Sequence, residues 1–197
     1  MEQSSQTFLK IYKKILYYKC RIGSFKTNFQ MTYKTRIADY TLRNAEESDV
    51  GLILWFIRSL AEYEKLTEEV IATEAGLRKY LFGKNPSAEV VIGEFRAEPV
   101  AFALYFHNFS TFMGKPGIYL EDLFVVPEMR GRGFGKALLQ FLAWLAVERD
   151  CGRLEWAVLD WNEPAISFYE SLGSRLMKEW IVNRLTGKAL EDLAARF

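Results

Sequence analysis

The hydrophobic residues of this chain follow two spacings, one typical of helices and one typical of strands. Apolar side chains that recur every three to four residues predict five helices. The first begins after a cap at Ser48 or Asp49, and the others cover 74–81, 133–147, 164–172 and 187–197. Runs of β-branched and aromatic residues predict strands over 36–43, 89–95, 100–106, 118–126, 153–159 and 176–184. Their order, a hairpin followed by alternating strands and helices, predicts the mixed α/β (α+β) class, with helices on the faces of one sheet.

Composition narrows the class of protein. The chain has 197 residues, of which 50% are hydrophobic and 15% aromatic, so it suits one globular domain with a sizeable core. Two cysteines, Cys20 and Cys151, are too few for a disulfide framework, and neither has the spacing of a metal site. The single histidine, His107, excludes a histidine-rich metal site. These counts favour a reduced, cytoplasmic protein without a bound metal.

Basic residues are concentrated at the N-terminus. Residues 1–36 contain eight basic side chains and one acidic side chain, whereas the remainder contains 18 basic and 24 acidic side chains. The mildly acidic remainder favours cationic ligands over nucleic acid. Residues 8–18 are apolar but interrupted by lysines, so they do not form the run of ~20 apolar residues that spans a bilayer. This segment also lacks the cleavage site of a secretory signal.

Three interpretations of the basic segment remain open: a helix on a membrane surface, a targeting leader, or an extension outside the folded domain. Met31 lies just before the first strand-like run, which is compatible with a later translation start. We expect residues 1–34 to form a basic N-terminal extension, mobile or outside the native protein. Residues 35–197 are expected to form the domain.

A glycine-rich turn joins the strand at 118–126 to the following helix. It contains, in order, Arg130, Gly131, Arg132, Gly133, Phe134, Gly135 and Lys136. Main-chain N–H groups at such a turn and the positive end of the helix dipole bind anions, and glycine lets phosphate oxygens approach the main chain. The spacing does not fit a Walker A loop, because Arg130 stands where its first glycine belongs. It does not fit the dinucleotide fingerprint either, because Lys136 stands where its third glycine belongs.

Arg130, Gly133 and Gly135 fit the pattern Arg/Gln-x-x-Gly-x-Gly/Ala and resemble the pyrophosphate-binding turn of the GNAT acetyltransferase superfamily. Residues 119–125 and 160–173 look like segments of its spermidine/spermine (diamine) acetyltransferase branch, and a looser match extends from about residue 40 to residue 196. The resemblance implies the GNAT fold, a central, mostly antiparallel twisted sheet with splayed middle strands and helices on both faces. It also implies acetyl-CoA as co-substrate, bound by the turn from Arg130 to Lys136, and a homodimer.

Two adjacent acids, Glu121 and Asp122, interrupt an apolar strand. Adjacent strand residues point to opposite faces, so both carboxylates face one site only where the strand bulges, as it does in GNAT folds. By resemblance, Glu121 matches the acid that deprotonates the substrate ammonium through ordered water, a necessary step because an alkylamine has a pKa of ~10. Alternatively, Glu121 is a counter-ion for the amine or pairs with an arginine. Asp122 is expected to be its structural or electrostatic neighbour at the substrate end.

Further candidate residues lie in the same strand and in the helix at 164–172. Asn162 suits a helix N-cap and shares a helical face with Tyr169. By resemblance, Asn162 contacts the pantetheine and Tyr169 protonates the departing CoA thiolate, although the residues alone favour a core tyrosine. The splayed strand is expected to contact the cofactor at Leu123, Phe124 and Val125, with N–H groups around the last two stabilising the oxyanion. Since no activated cysteine lies in these motifs, we expect the amine to attack acetyl-CoA directly in a ternary complex.

We expect two segments to select the amine that accepts the acetyl group: residues 62–69, which include Tyr63 and Glu64, and residues 108–116. The acids of the first segment either hold an ammonium group or form an ordinary solvated helix end. Polyamine enzymes of the branch carry Asp-Pro-Trp in the second segment. Its absence here puts spermidine and spermine in doubt, and a smaller diamine, thialysine or another lysine-like amine fits equally well. Trp180 either walls the acceptor pocket, as a similarly placed tryptophan does in the family, or is a core aromatic.

The sequence therefore predicts an acetyl-CoA-dependent N-acetyltransferase for a small primary amine. Two alternatives remain: a GNAT module that senses acyl-CoA without turnover, and an enzyme that acetylates a protein N-terminus or a lysine in a peptide. The presence of Glu121 and Tyr169 argues against the first alternative. The second requires an open groove for a peptide.

Overall fold

The structure, a computed structural model, describes residues 31–197. The expectations for residues 1–30, including the apolar segment at 8–18 and Cys20, lie outside this range. The described strands are β1 (Thr32–Lys34), β2 (Tyr40–Asn44), β3 (Glu89–Phe95), β4 (Glu98–Ser110), β5 (Lys115–Val125) and β6 (Leu154–Trp156). The α-helices are α1 (Val50–Glu64), α2 (Glu74–Phe82), α3 (Phe134–Glu148), α4 (Glu163–Ser171) and α5 (Gly187–Ala194). The chain divides into two compact units, with the boundary between Glu155 and Trp156.

The strands form one sheet in the order β1-β2-β3-β4-β5-β6, and the four pairings from β1 to β5 are antiparallel. This mostly antiparallel sheet with its helices confirms the expected fold class. The predicted hairpin is also confirmed: β3 turns into β4 at Arg96 and Ala97, whose φ angles of 54° and 65° are left-handed. Two consecutive left-handed residues give a turn whose twist matches that of paired strands.

The strand predicted over 36–43 differs from the structure, which has two strands in this region. β1 ends at Lys34, and Thr35 holds the turn into β2. Its hydroxyl donates to the Tyr40 carbonyl over 2.7 Å and accepts from the Ile37 N–H over 3.1 Å. Such short-range bonds from threonine compete with a continuous strand. Because β1 pairs with β2 from Thr32 onward, the sheet begins upstream of residue 35, the expected start of the domain.

A buried cluster lies between the sheet and the helices α1 and α2. It consists of Ile53, Phe56, Leu81, Val90, Ile92, Phe102 and Phe124. On β5, the neighbours of Phe124 point to the opposite face, where a Cβ atom on Gly135 of α3 would lie 3.6 Å from the side chains of Leu123 and Val125. Helices therefore cover both faces of the sheet. Within residues 31–197, no helix is both long and apolar enough to cross a membrane.

Arg43 of β2 ties the start of α1 to the sheet. This buried guanidinium donates to the Asp49 carboxylate over 2.7 and 2.9 Å and to Glu94 over 2.6 Å. Burial raises the pKa of Asp49, but the bonds from Arg43 and from the Glu46 N–H outweigh it, and the net shift is downward. Asp49 precedes α1, as expected, but its side chain binds Arg43 instead of capping the helix.

The second unit, Trp156–Phe197, contains the helices α4 and α5. Both helices confirm the patterns at 164–172 and 187–197. The strand predicted over 176–184 is wrong, since these residues form no strand in the structure. The neighbours Ile181 and Val182 are both largely exposed, so no alternation between a buried and a solvated face directs this segment into a sheet. The strand predicted over 153–159 is limited to the three residues of β6.

Candidate active site

The pairing of β4 with β5 contains a bulge at the predicted acids. Leu104 lies opposite Asp122, and the next residue of β4, Tyr105, lies opposite Leu120. Glu121 is therefore the extra residue of β5, with no partner on β4. Side chains alternate between the two faces of a sheet, so one extra residue moves each following side chain of β5 to the opposite face.

The bulge places both carboxylates on the face that carries α1. Phe124 belongs to the cluster beneath α1, so Asp122, two residues earlier, shares that face. Leu104 also packs against this cluster, so Leu120, which pairs with the next residue of β4, faces the other way. Glu121 follows Leu120 and returns to the α1 face. The structure thus brings Glu121 and Asp122 to one side of the strand.

Glu64, the last residue of α1, joins these two acids. Burial raises the pKa of Asp122 to about 6, and the negative charges of Glu121 and Glu64 add to the effect. Burial also raises the pKa of Glu64. We refer to Glu64, Glu121 and Asp122 as the acid cluster. Three carboxyl groups at one place, one of them exposed at the bulge, form a site that favours a cation.

The glycine-rich turn lies between β5 and α3. Gly131 and Gly133 have left-handed φ angles of 75° and 84°, which explains the glycines at these positions. A Cβ atom on Gly131 would meet nothing within 4 Å, so this side of the turn is open to a ligand. The first N–H groups of α3 have no acceptor within the helix, and Arg132 and Lys136 are exposed beside them. The turn is therefore suited to an anion.

Phe134 anchors this turn to the sheet. Its ring stacks on Tyr40 of β2 with centroids 4.1 Å apart and lies 5.4 Å from the ring of Phe95. The Phe134 side chain is buried, so its main-chain N–H is the part available at the turn. The guanidinium of Arg132 lies 5.7 Å from the centroid of the Phe95 ring, which holds this cation near the turn.

Arg130 makes contacts that the sequence did not indicate. Its Nε donates to the Val125 carbonyl over 3.0 Å. Its guanidinium lies 4.4 Å from the centroid of the Tyr63 ring and 5.5 Å from that of Phe124. The structure therefore joins the glycine-rich turn, expected to bind acetyl-CoA, to the last turn of α1, expected to bind the acceptor.

The main chain of β5 presents its groups alternately to its two neighbours. Val126 N donates to Val100 O over 3.0 Å, so the alternation of an antiparallel ladder turns the Phe124 groups toward β4 as well. The groups of Leu123 and Val125 then point away from β4. Of the N–H groups expected near an oxyanion, that of Val125 has this outward direction and that of Phe124 does not.

The second unit contains Asn162, Tyr169 and Trp180. Asn162 caps α4 as expected, because its Oδ1 accepts from the Ala165 N–H at 3.4 Å. The Tyr169 ring makes an edge contact with Trp156, with centroids 5.1 Å apart. Trp180 is 70% exposed, so the interpretation of Trp180 as a core aromatic is wrong.

Comparison with known proteins identifies the family. The acetyltransferase (GNAT) family model matches residues 52–174. Thialysine N-epsilon-acetyltransferase of Sus scrofa is 39% identical over 171 residues, covering 81% of this chain and 100% of that protein. L-ornithine N5-acetyltransferase NATA1 of Arabidopsis thaliana is 33% identical over 197 residues, covering 77% of this chain and 86% of that protein.

Solved structures share the fold. An integron cassette protein of V. cholerae has a TM-score of 0.67 and 28% identity, covering 79% of this chain and 98% of that chain. An aminoglycoside acetyltransferase from an uncultured soil metagenomic sample has a TM-score of 0.65 at 18% identity, covering 76% of this chain and 97% of that chain, which shows the fold alone. The family match and these relatives define the class of protein, an acetyltransferase. The chain belongs to the GNAT family, and it is an N-acetyltransferase.

Proposed function

We propose that this N-acetyltransferase uses acetyl-CoA to acetylate a primary amine on a small cationic acceptor of the lysine, ornithine or short-diamine type. The observation that carries the proposal is the acid cluster, which places three carboxyl groups on the α1 side of the bulged strand. A cationic amine is attracted to such a concentration of negative charge. The relatives named for thialysine and L-ornithine acetylation support this class of acceptor.

The glycine-rich turn fits the diphosphate of acetyl-CoA. The open side of Gly131 leaves room for phosphate oxygens, the first N–H groups of α3 donate to them, and Arg132 and Lys136 add positive charge. In this proposal, the outward main-chain groups of Leu123 bind the pantetheine arm, and the outward N–H of Val125 is reserved for the acetyl oxygen. When bound, acetyl-CoA supplies the activated acetyl group as a thioester.

Glu121 is assigned the removal of the amine proton. An alkylamine enters as an ammonium ion with a pKa of ~10 and cannot attack a thioester until it loses that proton. Glu121 is exposed at the bulge, so it can accept the proton directly or through one water molecule and release it to solvent. Asp122, with a pKa of about 6, is mostly ionised at neutral pH and acts with Glu64 as the counter-ion of the acceptor.

The transfer itself is assigned to direct attack in a ternary complex. The amine nitrogen forms the new C–N bond as the C–S bond breaks, and the outward N–H of Val125 stabilises the negative charge that develops on the acetyl oxygen. Tyr169 donates its phenolic proton to the leaving thiolate and regains a proton from solvent. A phenol with a pKa of ~10 is close enough to the thiol for this exchange. Asn162 is assigned to the pantetheine arm.

Release of CoA thiol tests the proposal, with putrescine, spermidine, thialysine, lysine, ornithine and a lysine-containing peptide as acceptors. We expect saturable release with lysine-like amines or short diamines, and we expect Tyr169→Phe to lower kcat by about 10²- to 10⁴-fold. Tyr80→Phe, which removes an exposed hydroxyl on α2, is the matched control and should keep the wild-type rate.

Three other outcomes would change the assignment. Tight acetyl-CoA binding without release would favour a sensor of acyl-CoA. Release with the peptide alone would favour peptide acetylation. An unchanged rate for Tyr169→Phe would remove Tyr169 as the acid and leave the acceptor class intact.

A further inference from the structure

Arg130 contacts the acceptor side of the first unit in addition to standing at the start of the glycine-rich turn. Its Nε is held by the Val125 carbonyl at 3.0 Å, which fixes the guanidinium at the end of β5. From there the guanidinium covers the ring of Tyr63, 4.4 Å from its centroid. A cation over an aromatic ring is attracted to the ring's negative face, and the planar guanidinium is well suited to this stacking.

Tyr63 belongs to the last turn of α1. The helix ends at Glu64, because Lys65 adopts a left-handed φ of 62° and turns the chain away. The N–H groups of Lys65 and Leu66 donate to the carbonyls of Glu62 and Ala61 over 3.1 and 2.8 Å and close the main chain of this turn, so contacts with other elements are what position its side chains. Arg130 is such a contact, and Tyr63 is covalently adjacent to Glu64 of the acid cluster.

We propose that Arg130 is a positioning residue for the acceptor site: by stacking on Tyr63 it holds the last turn of α1 and keeps Glu64 beside Asp122. The inference rests on the proposed function of the acid cluster in amine binding. It differs from the role implied by the resemblance, in which Arg130 binds the pyrophosphate.

Four variants separate the two roles. In Arg130→Leu and Tyr63→Leu, the stack is lost, and we expect the KM for the amine to rise about tenfold with less than a threefold change in the Kd for acetyl-CoA measured by calorimetry. Tyr80→Phe, which changes an exposed tyrosine of α2 outside the stack, is the control and should stay near wild type. The double variant Arg130→Leu/Tyr63→Leu should be no worse than the more affected single variant, because both remove one contact.

Arg132→Leu is the matched comparison, since it removes the neighbouring arginine of the same turn. We expect it to weaken acetyl-CoA binding and to leave the amine KM within threefold. Thermal unfolding by circular dichroism checks that each variant is folded. A loss of acetyl-CoA affinity in Arg130→Leu with an unchanged amine KM would overturn the positioning role and assign Arg130 to the cofactor.

A carboxyl ¹³C NMR titration tests the same inference without turnover. The charged groups that act on Asp122 are Glu121 on β5 and Glu64 on α1. Arg130 lies against the rings of Phe124 and Tyr63. If the stack holds Glu64 in place, its loss moves one negative charge away, and the pKa of Asp122 falls in Tyr63→Leu, which keeps the charge of Arg130. An unchanged or higher pKa in this variant would refute the inference. If instead no amine is acetylated while the pKa falls, the acceptor assignment fails and the positioning contact stands.

Discussion

Replacing Asp122 with asparagine is expected to stabilise the folded protein above pH 6. Burial and the charges of Glu121 and Glu64 raise the pKa of Asp122 from an ordinary value of 3.8 to about 6. The native state then keeps a proton that the unfolded chain loses between about pH 4 and pH 6, so stability falls as the pH rises through that window. At 1.36 kcal/mol per pKa unit, a shift of about two units corresponds to about 3 kcal/mol. This is an upper limit, because Asp122 is only partly enclosed.

Urea unfolding of wild type and Asp122→Asn at pH 4 and pH 7.5 measures this effect. We expect the variant to be more stable by about 2–3 kcal/mol at pH 7.5 and to match wild type at pH 4, where both side chains are neutral. Glu148→Gln, at an exposed carboxyl on α3, is the control and should change stability by less than about 0.5 kcal/mol at either pH. An equal gain at both pH values, or none at pH 7.5, would refute the reasoning. Because Asp122 is also proposed to bind the acceptor, we expect the gain to be accompanied by a higher amine KM.

Three more predictions follow from the first unit. Gly133→Ala forces a β-carbon into a φ of 84°, so we expect a loss of about 1 kcal/mol or more in urea unfolding and weaker acetyl-CoA binding by calorimetry, whereas an unaltered Kd would argue against the turn as the diphosphate site. Arg43→Met leaves Asp49 and Glu94 without their shared cation and should cost about 3–5 kcal/mol; a cost under 1 kcal/mol would show that the pair is not needed. Tyr40→Phe removes a buried hydroxyl that lacks a hydrogen-bond partner among the described residues, so unfolding should show a gain of about 1 kcal/mol, and a loss would reveal a missed partner.

Local features were predictable from the sequence because their causes lie within a few residues. β3 has the predicted bounds of 89–95, and α3 begins at Phe134, one residue from its predicted start. Thr73 caps α2 through its Oγ1, which accepts from the Gly76 N–H over 3.2 Å. The glycine-rich turn is equally local, since left-handed glycines and the following helix are neighbours in the chain. The family motif lies in this segment, which explains why the resemblance to the family could be seen in the sequence.

Segments whose conformation depends on distant partners were predicted less well. The first strand is interrupted because Thr35 bonds its own turn, and residues 176–184, which mix apolar with charged side chains, form no strand. Apolar residues occur both in strands and in irregular segments. A strand forms only where hydrogen bonds to a neighbouring strand satisfy its main-chain N–H and C=O groups.

The acid cluster and the contact between Arg130 and Tyr63 were decided by the tertiary structure. The residues of β5 contain both carboxylates, but the register against β4 is what makes Glu121 the bulged residue and brings both acids to one face. The raised pKa of Asp122 needs Glu64 from a different element, and the position of Arg130 needs the end of α1. The family and the turn could be predicted from the sequence by itself. Strand register and long-range packing depend on the whole sheet, so only the folded chain decided which charged groups lie together.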